Sequence, residues 1–197
     1  SKVLCLGNIP PPMRLTVPVY TYFHTTYFVA NLPFLSVRRK LTNLLKRSVL
    51  IGLKKNTDHW IVQTEEMQKM LSFVNNISQK DVQIIPFVDD FFRDVSIEKD
   101  DDLYIYIGLD TPHKNHVRLI DAFCEFFDQA RKGRLILTIP DNSKLIPTIE
   151  KKNQAGYPIE NAGILNREQL HRLYNAATYH IYPSLTESFG MGVIESI

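Results

Sequence analysis

Residues 103–139 read LYIYIGLDTPHKNHVRLIDAFCEFFDQARKGRLILTI. The run 103–108 (LYIYIG) is short, apolar and rich in aromatic and β-branched residues, and it ends in a turn, so it predicts a buried strand. Residues 115–131 carry Val117, Leu119, Ile120, Phe123 and Phe127 at the spacing of one helix face. Residues 134–139 (RLILTI) return to a strand pattern. Strand, helix, strand in this order is a βαβ unit, and its two strands lie parallel because the helix must carry the chain back.

The same alternation extends in both directions. Downstream, 143–153 predicts a helix and 157–161 a short strand. Asn166 with Gln169 three residues on has the form of a capping box for a helix over 167–177. Residues 178–183 (TYHIYP) predict a strand, and a helix begins near Phe189 or Gly190. Upstream, 2–7 (KVLCLG) and 17–23 (VPVYTYF) predict strands split by the turn at Ile9-Pro10-Pro11-Pro12. An amphipathic stretch covers roughly 35–55, and HWIVQ (59–63) predicts a strand. Thr64 then serves as an N-cap with Glu65 and Glu66 in the first turn, and 82–87 (VQIIPF) is extended. Residues 88–102 (VDDFFRDVSIEKDDD) are acidic and lack helical period, which predicts a linker. The expected organisation is therefore an α/β protein with two Rossmann-like domains and mostly parallel sheets. Residues 1–87 belong to the first, 88–102 connect, and 103–197 form the second.

Composition limits the function. The chain has 197 residues, 44% hydrophobic and 22% charged, with a formal charge of +2. That excludes a disordered polyelectrolyte and leaves nucleic acid without a broad basic surface. Cys5 and Cys124 sit in apolar runs and read as small buried hydrophobes in a reducing, cytoplasmic setting. No apolar run reaches the roughly 20 residues of a membrane helix. Ser1 leads straight into an apolar run, and Glu195-Ser196-Ile197 fall in a helix that has just begun, so both domains are expected to be incomplete in this chain.

Ligands of parallel sheets bind beyond the carboxyl ends of the strands. The segment Pro183-Ser-Leu-Thr-Glu187-Ser-Phe-Gly-Met-Gly-Val-Ile-Glu195 follows a strand there and opens a helix. Free N–H groups at that helix start favour a phosphate, and Gly190 and Gly192 let the backbone approach a ligand. Glu187 and Glu195 stand eight positions apart and can take different duties, one on hydroxyls near the reacting end and one on a ribose diol. Taken alone, the pair also reads as a turn glutamate and an ordinary helix glutamate.

The E-SFGMGVI-E pattern resembles the E-x7-E signature of retaining glycosyltransferases of the GT-B fold, family 4 (glycosyl transferases group 1). Its neighbours resemble that family too. Tyr106-Ile-Gly108 with Pro112-His-Lys114-Asn115 is similar to its first strand–loop–helix, and Gly163-Ile-Leu-Asn-Arg-Glu-Gln-Leu with Leu173-Tyr174-Asn-Ala-Ala is similar to the stretch before the signature. The resemblance implies a nucleotide-diphosphate sugar as substrate, UDP- or GDP-linked, a glycan or lipid-linked acceptor, and no cofactor or metal. It implies that Glu187 orients sugar hydroxyls and that Ser188, Phe189, Gly190 and Met191 offer backbone contacts. Lys114 then neutralises the departing diphosphate, Glu195 holds the ribose, and the base rests near Gly163 and Ile164. Tyr20-Thr-Tyr-Phe-His24 resembles the acceptor-domain segment whose His contacts the transferred sugar, and Gly7-Asn8 ends a neighbouring strand. One departure stands out: the family commonly has an Arg after the Gly of its first donor-domain strand, where this chain has Leu109.

Residues 38–55 contain Arg38, Arg39, Lys40, Lys46, Arg47, Lys54 and Lys55 and no acid. At 100° per residue Leu41, Leu44, Leu45, Val49 and Ile51 share one face, and Arg39, Lys40, Lys46, Arg47 and Lys54 the other. Two readings follow: a helix packed on its own sheet with a solvated charged face, and a helix that also meets an anionic membrane on the inner, cytoplasmic side. The competing functions are a nucleotide-sugar 2-epimerase of the same fold, which would act on donor alone, and a non-catalytic nucleotide-sugar-binding module.

Overall fold

The chain, as a computed structural model, is described over residues 1–86 and 97–196. It divides into two compact units, residues 1–89 with 187–189, and 90–186 with 190–197. Each is built on a four-stranded parallel sheet.

In the first unit the strands are β1 (Val3–Cys5), β2 (Val19–Tyr22), β3 (His59–Val62) and β4 (Val82–Ile84), side by side in chain order. Helix α1 (Val37–Leu53) joins β2 to β3, and α2 (Glu65–Asn75) joins β3 to β4. Thr64 caps α2 as its sequence predicts, its hydroxyl accepting from the Met67 N–H at 3.2 Å. Phe23, Trp60, Val62, Met67, Leu71 and Val82 close a core between the sheet and α2. Burying each such side chain stabilises the unit by about 1.5–3 kcal/mol.

Helix α1 reverses the expected packing. Its apolar arc faces out, with Val37 84%, Leu41 60% and Leu45 62% exposed, and of its side chains Leu50 alone is buried. Val29, from the segment before the helix, joins the core with Phe23, Leu50 and Trp60, and Leu32 and Leu35 of the same segment are buried. Just past the helix, Lys54 Nζ donates to the Asn75 carbonyl at 2.6 Å. A 3.6-residue period tells which face is apolar but not what that face covers. Cys5, in edge strand β1, is half-buried and not buried as expected, whereas Cys124 is buried; both are free thiols.

In the second unit the strands are β5 (Asp100–Tyr106), β6 (Arg134–Leu137), β7 (Ile159–Asn161) and β8 (Ala177–His180). Helix α3 (His116–Ala130) joins β5 to β6, α4 (Ile146–Gln154) joins β6 to β7, α5 (Arg167–Ala176) joins β7 to β8, and α6 (Met191–Glu195) follows β8. The period of two along β5 sorts its side chains: Tyr106 enters the core with Leu119, Ile120, Phe123, Leu135 and Leu137, while Leu103 and Ile105 meet Ile136, Tyr174 and Ala177 on the opposite face. The capping box of α5 forms as read, Asn166 Oδ1 accepting from the Gln169 N–H and Gln169 Oε1 from the Asn166 N–H, both at 2.9 Å. Asp100-Asp101-Asp102, read as linker, opens β5 instead: Asp100 accepts from the Asp102 N–H at 3.0 Å and from Arg134 at 3.1 Å, which replaces the missing apolar character with fixed partners. Residues 87–96, which hold most of the predicted linker and the last residue of the 82–87 run, lie outside the described residues.

The sheet order of this unit is β7-β6-β5-β8. The chain starts at β5, steps outward through β6 and β7, then returns to the other side of β5. Between β5 and β8 the connections diverge to opposite faces, which leaves a crevice at the carboxyl edge. The two loops flanking that point are 107–115 and 181–190.

Candidate functional site

Hydrogen bonds stitch the carboxyl edge of the second sheet together. The Gly108 N–H donates to Thr138 Oγ1 at 3.2 Å, beyond β5 and β6. The Ile139 N–H donates to Asn161 Oδ1 and Asn161 Nδ2 donates back to the Ile139 carbonyl, both at 3.0 Å. Across the crevice, Asn115 Nδ2 donates to the Pro183 carbonyl at 3.2 Å and the Leu185 N–H donates to the His113 carbonyl at 2.7 Å. Tyr106 and Ser184 share a hydroxyl hydrogen bond of 3.0 Å. The predicted diphosphate loop and the strand end leading into the E-x7-E segment are thus held against each other.

Lys114 is half-buried in this loop, and its stem runs beside Gly108, where an added Cβ would lie 3.5 Å from Lys114 Cδ. Two residues on, α3 begins. Asn115 occupies its N-cap position in a left-handed conformation and makes no side-chain hydrogen bond to the helix, because that side chain reaches Pro183. Leading N–H groups of a helix have no intrahelical partner, so α3 presents donors and partial positive charge directly after the loop that carries Lys114. His116 in its first turn is buried, and burial pulls its imidazolium below the ordinary histidine range, against the opposing influence of Asp110. Leu109, at the position where the resembled family has Arg, is exposed.

The signature segment is shaped by two glycines. Gly190 sits at φ +73° as the N-cap of α6 and accepts from the Val193 N–H at 2.9 Å. Gly192 lies so close to two phenols that a Cβ there would stand 3.0 Å from Tyr182 Cε1 and 3.3 Å from Tyr174 Oη. Tyr182 donates to the Gly192 carbonyl. Tyr174, buried in α5, donates to Glu195 Oε2 at 3.1 Å. Burial first, then the neighbouring Tyr182 and Glu195, hold the Tyr174 phenol far above its ordinary range, so it remains a donor. The half-buried Glu195 carboxylate is therefore aimed by a tyrosine that the sequence placed in a matching stretch without a role. No spacing rule links residues 174 and 195; only the fold brings them together.

Met191 starts α6, and Gly163, at φ +70°, follows β7 beside Asp141. Ile164 next to it is exposed. Lys114, Gly163, Ile164, Gly190, Met191 and Glu195 all belong to the second unit and follow the carboxyl ends of its strands. Glu187, which is exposed, Ser188 and Phe189 group with the first unit. His24 lies in the first unit two residues beyond β2 and is exposed. There Asn8 Oδ1 accepts from the His24 backbone N–H at 2.7 Å, and Asn8 Nδ2 is 3.3 Å from His24 Nε2. A cavity of about 390 Å³ also lies in the first unit, lined by residues of α1, the 27–35 segment and Phe73, and none of the predicted site residues lines it. Among the described residues no group of three or more His, Cys, Asp or Glu is arranged to hold a metal ion, and no helix is long and apolar enough to cross a membrane.

The family described as glycosyl transferases group 1 matches residues 87–197, more than half of the chain. No curated protein matches by sequence. Among solved structures, sucrose-phosphate synthase from Thermosynechococcus elongatus aligns with a TM-score of 0.65 at 21% identity, over 92% of this chain and 48% of that one. S. aureus TarM, in complex with fondaparinux, alpha-GlcNAc-glycerol and UDP, aligns with a TM-score of 0.71 at 15% identity, over 91% of this chain and 35% of that one. The catalytic domain of starch synthase IV from Arabidopsis thaliana, bound to ADP and acarbose, aligns with a TM-score of 0.61 at 12% identity, over 92% of this chain and 49% of that one. The chain thus spans between about a third and a half of the structures it resembles, and the shared fold is that of the GT-B glycosyltransferases.

Proposed function

The chain belongs to the glycosyl transferases group 1 family, and from that premise we propose that it moves a hexosyl unit from a nucleotide-diphosphate sugar to a glycan acceptor with retention of the anomeric configuration. The bond from C1 to the diphosphate oxygen breaks and a bond from C1 to an acceptor oxygen forms. Negative charge grows on the diphosphate as this happens, and fixed cations and N–H dipoles stabilise it. The observation that carries the reading is the crevice beside β5, where Lys114 and the uncapped start of α3 meet the strand end that leads into the E-x7-E segment.

Lys114 takes the diphosphate charge, Glu195 accepts from the ribose hydroxyls, and Gly163 and Ile164 flank the base. Glu187 orients the sugar hydroxyls, with Ser188, Phe189, Gly190 and Met191 contributing backbone groups, and His24 works from the acceptor side. No cofactor beyond the nucleotide sugar is assigned. The structural neighbours bound to UDP and to ADP favour a nucleoside diphosphate as the shared handle, and we assign UDP or GDP here. A thermal-shift series with UDP, GDP and ADP tests the site. A diphosphate at 100 times its Kd adds about 2.7 kcal/mol, a rise of roughly 10–20 °C for a unit of about 100 residues such as the second. Equal melting with and without every nucleotide would overturn the donor site. Incubation of the bound donor without acceptor then separates transfer from epimerisation, since an epimerase would convert the sugar unaided.

A lipid-linked acceptor fits α1, whose outward apolar arc and row of cations suit the headgroup region of an anionic bilayer on the cytoplasmic side. Each cation near such a surface contributes about 1 kcal/mol. Charge reversal at Arg39 and Lys46 together is expected to weaken binding to phosphatidylglycerol vesicles by more than about 30-fold. Flotation that ignores vesicle charge would reject the membrane assignment, and a concentration-dependent dimer would assign the arc to a second copy.

A further inference from the structure

Strands β1 and β2 are adjacent and parallel, so their carboxyl ends deliver Asn8 and His24 side by side. Asn8 stands at φ +68°, a left-handed conformation that asparagine tolerates better than most residues. Its carboxamide has one acceptor end and one donor end, and the structure fixes which is which. The His24 backbone N–H can only donate, so the atom 2.7 Å from it is the oxygen, Oδ1. The atom 3.3 Å from His24 Nε2 is then the nitrogen, Nδ2, which can only donate. Two donors do not bond. Nε2 must therefore offer its lone pair.

We propose that Asn8 is a positioning residue that holds the His24 imidazole as the Nδ1–H tautomer, leaving that N–H as the ring's donor for an oxygen of the transferred sugar. The proposal rests on the acceptor-side role given to His24 above and adds to it the ring atom that carries the hydrogen. A hydroxyl or ring oxygen of a hexose accepts from Nδ1–H, and a ligand cation has no partner there. Asn8 does two things at once: it clamps the backbone at the strand end and selects the tautomer, so the side chain is oriented before substrate arrives.

Long-range proton–nitrogen correlation spectra of the full nitrogen-15-labelled chain, at about pH 8 and so above the ordinary histidine range, read the tautomer directly. His24 is expected to show an unprotonated Nε2 and a protonated Nδ1. Asn8→Asp replaces the donor end by a second acceptor, so the hydrogen is expected to move to Nε2. Asn8→Ala is expected to leave a mixture and to lower kcat by up to about tenfold with the donor KM retained. Backbone amide spectra of both variants report whether the unit is still folded, and the wild-type reading stands without them. A wild-type His24 protonated at Nε2 overturns the proposal. The expected tautomer together with undiminished transfer by His24→Ala overturns the role of His24 instead.

Discussion

Lys114→Ala is expected to lower kcat by about 10²–10³-fold. The reason is where charge develops. In the ground state the diphosphate already bears negative charge, but breaking the C1–O bond adds to it at one bridging oxygen. An ammonium group poised there stabilises the transition state more than the bound substrate. Lys114 has the right setting: half-buried, its stem beside Gly108, one residue before the N-cap of a 15-residue helix. Loss of the charge in the transition state alone lowers kcat and kcat/KM together. A rise in KM with unchanged kcat would instead assign Lys114 to ground-state binding. Lys114→Arg keeps a cation but spreads it over a planar fork, so partial activity is expected. Steady-state rates for the three proteins, with melting curves as a folding control, decide the matter. The side chain is not part of the core, so the Ala variant is expected to melt close to the parent.

The strand–helix alternation was readable because it depends on local patterns. A period of two in LYIYIG and of 3.6 in the following helix survive any tertiary arrangement that buries both. Strand order was not readable: nothing in residues 177–180 says that β8 pairs with β5 and not with β7, yet that choice creates the crevice. The candidate site divides in the same way. Glu187 and Glu195 could be singled out because they follow a strand within a spaced motif, and Lys114 through the resemblance of its loop to the family's. Tyr174 and Asn115 could not be given roles, since each reaches a distant element, 21 residues away for the Tyr174–Glu195 pair and 68 for Asn115–Pro183. Helix α1 marks the opposite failure. Its pattern was correctly amphipathic, but Leu50 is the one side chain it buries, and the apolar arc faces outward. Amphipathicity fixes a face, and competition among neighbours decides its direction.

Glu195→Ala is expected to raise the donor KM by about 150-fold or more, the scale of losing a carboxylate that accepts from two hydroxyls at about 1.5 kcal/mol or more each. The kcat is expected to change little, because a ribose lies far from the bond being broken and its contacts are the same before and during reaction. Tyr174→Phe is the sharper test. The phenol is buried, keeps its proton, and points it at Glu195 Oε2, so the variant removes that hydrogen bond, with the longer approach to the Gly192 carbonyl, and little volume. Without it the carboxylate swings more freely, and a KM increase of about tenfold is expected, with kcat again retained. If Tyr174 works only by aiming Glu195, the phenylalanine change has no further effect on KM once Glu195 is alanine, and the double-mutant cycle returns a coupling as large as the tyrosine effect itself. Additive losses would mean that Tyr174 acts elsewhere, through its second near-contact at the Gly192 carbonyl 3.4 Å away, and the nucleotide would then depend on the shape of the turn more than on the charge beside it.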